Sequence, residues 1–188
     1  MLRILLVVIC MFVSNSLYAR SLDFSLSSES AQINYATLVG ATNYGRTELG
    51  FGFLYNDDEN YLADISLLVI DEAGSKSPGL EIGVGTKLYY AYADPSNVNI
   101  TAIGLGGQLR YRNAKAPRII YGATLFYAPG IVTFQDGDQL FEADARIGYE
   151  ILPTANIYLG YRYIVTELTN NTDLTIDDTF IIGLQYKF

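Results

Sequence analysis

The sequence predicts an all-β fold, an antiparallel transmembrane β-barrel of ten strands, with eight strands as the alternative. Three observations predict this fold. The chain opens with an export signal, apolar and polar residues then alternate in segments, and the last segment ends on an aromatic residue. Alternating segments of roughly ten residues separated by turn residues are typical of barrels that cross a membrane.

A secretory signal peptide is predicted over residues 1–19, with cleavage after Ala19. One cation precedes the apolar run Ile4–Val13, which is shorter than the roughly 20 residues that a spanning helix needs. Cleavage leaves residues 20–188 as a single barrel domain after its signal peptide. It also removes Cys10, the one cysteine in the sequence, so the mature chain has no disulfide to stabilise it.

The composition narrows the class of protein. The 188 residues include 20 Asp and Glu against 12 Lys and Arg, and this acidity argues against a nucleic-acid partner. The chain contains 16 Tyr, 9 Phe and 17 Gly but no His. Because histidine is the usual general base and a common metal ligand, we expect no enzyme, no catalytic residue, no metal site and no cofactor.

The strands are predicted from a period of two. In "LFEADARIGYEI", residues 140–151, the alternation puts Ala145 and Ile147 on one face and Asp144 and Arg146 on the other. A helix would scatter these charges around its circumference, whereas a strand collects them on one face. The ten predicted segments are 22–27, 31–39, 45–55, 61–70, 80–90, 99–112, 118–127, 140–151, 155–165 and 180–188.

Two of these segments are mixed. Residues 61–70 and 118–127 carry apolar side chains on both faces. The first predicted hairpin is also very tight, and the alternative of eight strands applies if the first two segments are one bent strand or a lead-in.

The connections should differ between the two ends of the barrel. If both termini lie in the periplasm, the number of strands must be even, as ten is. We then expect long external loops at 128–137 and 167–177, and short periplasmic turns at 113–116 and 151–154. Such asymmetry is usual in outer-membrane barrels.

The apolar face is expected to point outward, toward lipid. Glycines concentrate on the polar face, as in "GRTELGFGFLY", and a narrow barrel interior needs small side chains. Tyrosines lie near strand ends on the apolar face, as the aromatic girdles of membrane barrels do. In a soluble lipid-binding barrel, which is one alternative, the apolar face would point inward.

The last strand, "FIIGLQYKF", has an apolar residue at every second position and ends on phenylalanine. A closing strand must pair with the first strand, because unpaired amides in lipid cost several kcal/mol each. The pattern also resembles the C-terminal assembly signal that the insertion machinery of outer-membrane barrels recognises. Its residues are Phe180, Ile182, Leu184, Tyr186 and Phe188.

Charged residues on the polar face should form a network in the lumen, because an unpaired buried charge is costly. The predicted members are Glu48, Glu81, Lys87, Arg110, Arg118, Glu142, Asp144, Arg146, Arg162 and Lys187.

The chain resembles the YfaZ-like family of small bacterial outer-membrane proteins. The resemblance rests on "IGVGTK", "AIGLGGQLRYR", "GYRYI" at 160–164 and the aromatic-ended last strand. It implies a β-barrel in the outer membrane and transfers no functional residue.

The sequence therefore predicts an integral outer-membrane barrel with a structural or envelope-associated role and a side-chain-filled or very narrow lumen. A pore for small solutes or ions and a soluble periplasmic lipid-binding barrel are the alternatives. Outer-membrane lipids and, during insertion, the barrel-assembly machinery are the expected partners. The oligomeric state is left open.

Overall fold

The computed structural model describes residues 20–42, 45–74, 77–94, 98–170 and 172–188. The predicted signal peptide and its cleavage site at Ala19 lie outside these residues. The strands are β1 (Arg20–Leu26), β2 (Ser30–Thr42), β3 (Gly45–Asn56), β4 (Asn60–Glu72), β5 (Leu80–Ala93), β6 (Val98–Arg112), β7 (Ile119–Ala128), β8 (Thr133–Gln135), β9 (Gly137–Leu152), β10 (Ala155–Leu168) and β11 (Asp173–Lys187). A 3₁₀ turn, Gly130–Val132, precedes β8. No helix in the described part of the chain is long and apolar enough to cross a membrane.

The ten long strands close into an antiparallel barrel. Each pairs with its neighbours in sequence, β7 pairs directly with β9, and β1 pairs with β11 through partners such as Leu22 and Tyr186. The short β8 pairs only with β6. Ten strands are therefore confirmed, and the alternative of eight is wrong, because β1 and β2 are separate strands joined by a tight turn. The Ser27 hydroxyl accepts hydrogen bonds from the amides of Glu29 and Ser30 in that turn.

The apolar face of the barrel points outward. Leu105 is 67% exposed and Phe180 is 81% exposed, and the other long strands carry similar outward residues. Aromatic residues gather at both ends of this surface: Tyr55 and Tyr61 have ring centres 5.0 Å apart, and Tyr186 stacks on Phe188 at the opposite end. The soluble lipid-binding alternative is wrong, because its apolar face would have to line the interior.

The connections differ from those that the sequence predicts. Residues 167–177, expected as a long loop, belong mostly to β10 and β11, and the connection between them spans only 169–172. At the end that carries the termini, 73–79 is one of the longer connections. The other expected long connection, 128–137, does join β7 to β9 through the 3₁₀ turn and β8, and the turns expected at 113–116 and 151–154 are short. Among the described residues, the expected contrast between the two ends is therefore present only in part.

A β-bulge explains why the start of β11 was missed. The register between β10 and β11 shifts after Ile164, which pairs with Asp177, while Val165 pairs with Thr175. Ile176 and Asp177 are consequently both buried. Two successive inward residues interrupt the period of two, so the segment has no strand pattern in its sequence.

Candidate functional site

A lysine and two carboxylates meet in the middle of the lumen. Lys87 Nζ lies 2.9 Å from Glu142 Oε2 and 3.4 Å from Asp64 Oδ1. The Tyr89 hydroxyl donates a hydrogen bond of 2.5 Å to the same Glu142 oxygen, and Lys87 Nζ lies 5.2 Å from the centre of the Tyr89 ring. All four side chains are buried. The cluster joins β5 to β9 across the lumen, over the two strands between them.

A second cluster surrounds Arg162 on β10, whose side chain is 2% exposed. Its guanidinium donates to the Asp177 carboxylate and to the Gln32 side-chain oxygen. It also donates to the hydroxyls of Ser25 at 3.2 Å and Ser30 at 2.9 Å. These partners come from β11, β1 and β2. Arg162 therefore ties together the strands at which the barrel closes.

A third cluster is built on Arg146. Its guanidinium lies 2.7 Å from Asp144 Oδ1 and 3.3 Å from Asp23 Oδ2, and its central carbon lies 4.7 Å from the centre of the Tyr158 ring. The Tyr158 hydroxyl donates to Asp23 at 2.6 Å. Two carboxylates and an aromatic face thus neutralise this cation, as a charge withdrawn from water requires.

Apolar side chains fill part of the lumen at the end opposite the termini, beside the Arg162 cluster. Leu54, Leu62, Phe126, Leu140 and Ile164 point inward there and are at most 1% exposed. They belong to one cluster with Tyr89, Ala91, Ile100, Ala102, Ala128 and Ile176. Membrane barrels usually have a polar interior, whereas here apolar side chains pack in part of it, as in a soluble core.

The other end of the lumen holds a cavity of about 570 Å³. Residues at the ends of strands line it, including Arg20 and Lys187 beside the termini. The Glu81 carboxylate forms an ion pair with Arg46 at 3.0 Å and a longer one with Arg110 at 3.9 Å. The lumen is therefore open and charged at the end where it meets both termini.

The predicted lumen charges separate into these groups rather than forming a single network. Lys87 and Glu142 lie in the first cluster, Arg162 in the second, and Asp144 and Arg146 in the third. The cavity is lined by the remaining four inward residues, which are Glu48, Glu81, Arg110 and Lys187.

Arg118 is the exception, because it lies on the outer surface. It is exposed, and its guanidinium is 3.4 Å from the hydroxyl of Tyr149, an outward residue. The residue precedes β7, which begins at Ile119. The alternation of the strand therefore does not extend to Arg118.

The prediction also missed three carboxylates that complete the clusters, Asp23, Asp64 and Asp177. Asp23 lies on the polar face of an alternating segment, so its inward position could be predicted, whereas Asp64 lies in the mixed segment 61–70. Asp177 was hidden by the bulge in β11. The five residues of the predicted assembly signal all lie on the outer surface, where Phe188 is 57% exposed; their recognition by an assembly machinery stays a prediction.

A closed barrel with an apolar exterior, aromatic residues at both ends and ion pairs inside is an integral β-barrel of the bacterial outer membrane. The YfaZ precursor family matches the chain over residues 1–188, and the chain belongs to this family. The resemblance predicted from the sequence is thus confirmed.

Several solved structures are similar to this chain. The KdgM porin has 11% identity and a TM-score of 0.47, over 90% of this chain and 99% of the porin. The outer-membrane channel DcaP of Acinetobacter baumannii has 10% identity and a TM-score of 0.44, over 88% of this chain and 54% of the channel. Neisserial surface protein A has 14% identity and a TM-score of 0.36, over 91% of this chain and 94% of that protein. Among curated proteins, none matches this sequence.

Proposed function

We propose that the protein is a non-conducting, non-catalytic barrel with a structural or envelope-associated role in the outer membrane. The observation that carries this proposal is the apolar cluster at the end opposite the termini. Leu54, Leu62, Phe126 and Leu140 meet there in the lumen, beyond the ion pair between Lys87 and Glu142.

An apolar constriction opposes the passage of ions for a simple physical reason. A hydrated ion that entered it would lose hydrogen bonds to water and gain none from Leu or Phe side chains. Hydrophobic constrictions in channels act as closed gates by this mechanism. The carboxylates of the three clusters are held by lysine, arginine or tyrosine, which supports a role in stability rather than in catalysis.

A narrow pore is the second candidate, and the cavity of about 570 Å³ favours it. This cavity extends into the lumen from the end that carries the termini. A rearrangement of the apolar cluster would join it to the other side of the membrane.

Recordings from planar bilayers distinguish the two candidates. We expect the purified barrel to give no discrete conductance steps, and the double variant Phe126→Ala/Leu140→Ala to give brief openings because it removes two buried side chains from the constriction. Leu125→Ala is the matched control, since Leu125 is an outward residue of the same strand. Regular steps from the unmodified protein, altered by Glu142→Ala or Arg162→Ala, would favour the pore.

Outer-membrane lipids and the barrel-assembly machinery are the partners that we propose. The apolar exterior supports the first, and the outward row of β11 that ends at Phe188 supports the second.

A further inference from the structure

The cavity at the end that carries the termini has a different charge from the rest of the molecule. The chain as a whole has a formal net charge of −8. The charged residues around the mouth of the cavity are Arg20, Arg46, Arg110 and Lys187 against Glu48 and Glu81. The mouth therefore carries an excess of positive charge in an acidic protein.

The floor of the cavity contributes little to this excess. Arg146 lines it, but this guanidinium is already paired with Asp144 at 2.7 Å and with Asp23 at 3.3 Å. The positive potential therefore comes from the mouth rather than from the interior clusters.

Arg110 and Lys187 are incompletely neutralised by their neighbours. Glu81 is shared between Arg46, at 3.0 Å, and Arg110, at the longer distance of 3.9 Å. Lys187 has no carboxylate within ion-pair distance among the residues that the structure describes. Two basic side chains thus face the cavity with donors to spare, because an arginine has five N–H donors and a lysine has three.

Small and neutral residues lie between the basic side chains that line the cavity. They include Gly122, which is the cross-strand partner of Arg110, together with Thr124 and Gly148, and Gln108 and Asn156 add amide groups. A volume of about 570 Å³ falls within the range of roughly 300–1,000 Å³ that small-molecule sites occupy. Basic side chains from several strands, separated by small and neutral residues around one cavity, are the arrangement expected of a site for a compact anion.

We propose that this cavity binds a small organic anion that carries carboxylate or phosphate groups. Arg110 supplies a planar fork that matches the two oxygens of such a group, and Lys187 supplies a mobile point charge. Glu48, which also lines the cavity, weakens the binding by repulsion. The site is independent of conduction, since it requires only the open end of the lumen.

Calorimetric titration of citrate into the folded barrel in a neutral detergent tests this proposal. We expect saturable binding that weakens roughly tenfold in Arg110→Gln and in Lys187→Gln, since each removes one charge-assisted contact. Lys115→Gln is the matched control, because Lys115 is an exposed cation in the turn 113–118 at the same end of the barrel but outside the cavity. It removes the same charge and should bind citrate as the unmodified protein does.

A variant that should strengthen citrate binding separates an effect on binding from an effect on stability. Glu48→Gln removes a carboxylate that faces the ligand, so it should tighten citrate binding by a few-fold, whereas mere loss of structure would weaken it. Heat-modifiable migration in gels shows that each variant has folded. Absence of saturable binding in the folded, unmodified barrel overturns the proposal, as does an equal loss in Lys115→Gln and Arg110→Gln.

A phosphate group could reach this site on a free metabolite or on a lipid. Glycerol 3-phosphate and dihexanoyl phosphatidate carry the same head group, and they are compared by native mass spectrometry. Equal retention of the two identifies a soluble anion as the ligand, and preferential retention of the phosphatidate identifies a lipid head group. Retention of neither, together with no binding of citrate, overturns the proposal.

Discussion

Lys87 Nζ lies 2.9 Å from Glu142 Oε2, and this contact joins β5 to β9 through the interior of the barrel. Both side chains are buried. Neighbouring strands of a barrel are held by backbone hydrogen bonds, but β5 and β9 are not neighbours. The pair therefore acts as a brace inside the lumen, because it links two strands that are not paired with each other.

Breaking this brace should be costly. We expect Glu142→Gln to lower the free energy of unfolding by about 3–5 kcal/mol, because it leaves a buried lysine with a single carboxylate, Asp64. Denaturant unfolding in detergent measures the loss. Glu150→Gln is the control. It breaks an ion pair with Arg112 that is also short, at 2.7 Å, but the side chains of Glu150 and Arg112 are 24% and 39% exposed. The loss of stability in this control should therefore stay below about 1 kcal/mol.

The same brace can be replaced by apolar side chains. A triple variant, Asp64→Asn/Lys87→Met/Glu142→Leu, removes all three charges of the cluster and should be more stable than Glu142→Gln alone, because no uncompensated charge stays buried there. A triple variant that is less stable than the single one would show that the ion pairs themselves supply most of the stability at this level of the lumen.

The contacts between the strands at which the barrel closes depend on the shape of the Arg162 guanidinium and not only on its charge. Arg162→Lys keeps the cation but cannot donate at once to Asp177, Gln32 and Ser30. We expect a loss of about 2–4 kcal/mol, since hydrogen bonds to charged groups contribute roughly 1.5–3 kcal/mol each. Hydrogen exchange should accelerate first in β1 and β11.

Arg46→Lys serves as the control for that variant, because Arg46 is 36% exposed and pairs with Glu81 at the open mouth of the cavity. Its exchange rates should match those of the unmodified protein. Equal effects of the two substitutions would mean that Arg162 contributes only its charge.

A side chain at Gly183 should disrupt the third cluster. A Cβ at this position would overlap the ring of Tyr158, which is held by Asp23 on one side and Arg146 on the other. We expect Gly183→Ala to destabilise the barrel by about 1–3 kcal/mol, as overpacking does. Gly40→Ala is the matched control, since a Cβ at Gly40 would have no neighbour within 4 Å; an equal loss there would point to strand propensity as the cause.

The terminal phenylalanine should matter for assembly more than for stability. Phe188→Ser is expected to reduce the amount of barrel in the outer-membrane fraction of cells several-fold, while refolding of the purified chain in detergent stays efficient. Phe134→Ser removes an aromatic residue of similar exposure from β8, and it should leave the cellular amount unchanged. Normal insertion of Phe188→Ser would contradict the role of β11 as an assembly signal.

Much of the fold was readable because the environment of a membrane barrel imposes a strict period of two. Because one face of each strand meets lipid and the other faces the lumen, apolar and polar residues alternate. Strand segments such as 140–151 and 155–165 were therefore easy to predict. The period fails where the backbone bulges, and the pair Ile176 and Asp177 shows this most clearly. No residue pattern identified that bulge, because it depends on the register with β10.

The apolar cluster was not predicted, although the sequence contained a sign of it. The mixed segments 61–70 and 118–127, with apolar residues on both faces, contain Leu62 and Phe126, which point into the lumen. An inward apolar residue on one strand is uninformative by itself. Only the three-dimensional arrangement shows that such residues from several strands meet at the same height and close one end of the bore.

A lumen that is closed at one end and open at the other should differ in thiol accessibility between its two ends, and this difference can be measured directly. Residues 20–188 contain no cysteine, so in a chain that begins at residue 20 Ala36→Cys and Ala102→Cys place single thiols in the open cavity and in the apolar cluster, respectively. A charged, membrane-impermeant methanethiosulfonate should modify Ala36→Cys rapidly and Ala102→Cys only after unfolding. Comparable rates at the two positions in the folded barrel would contradict the account.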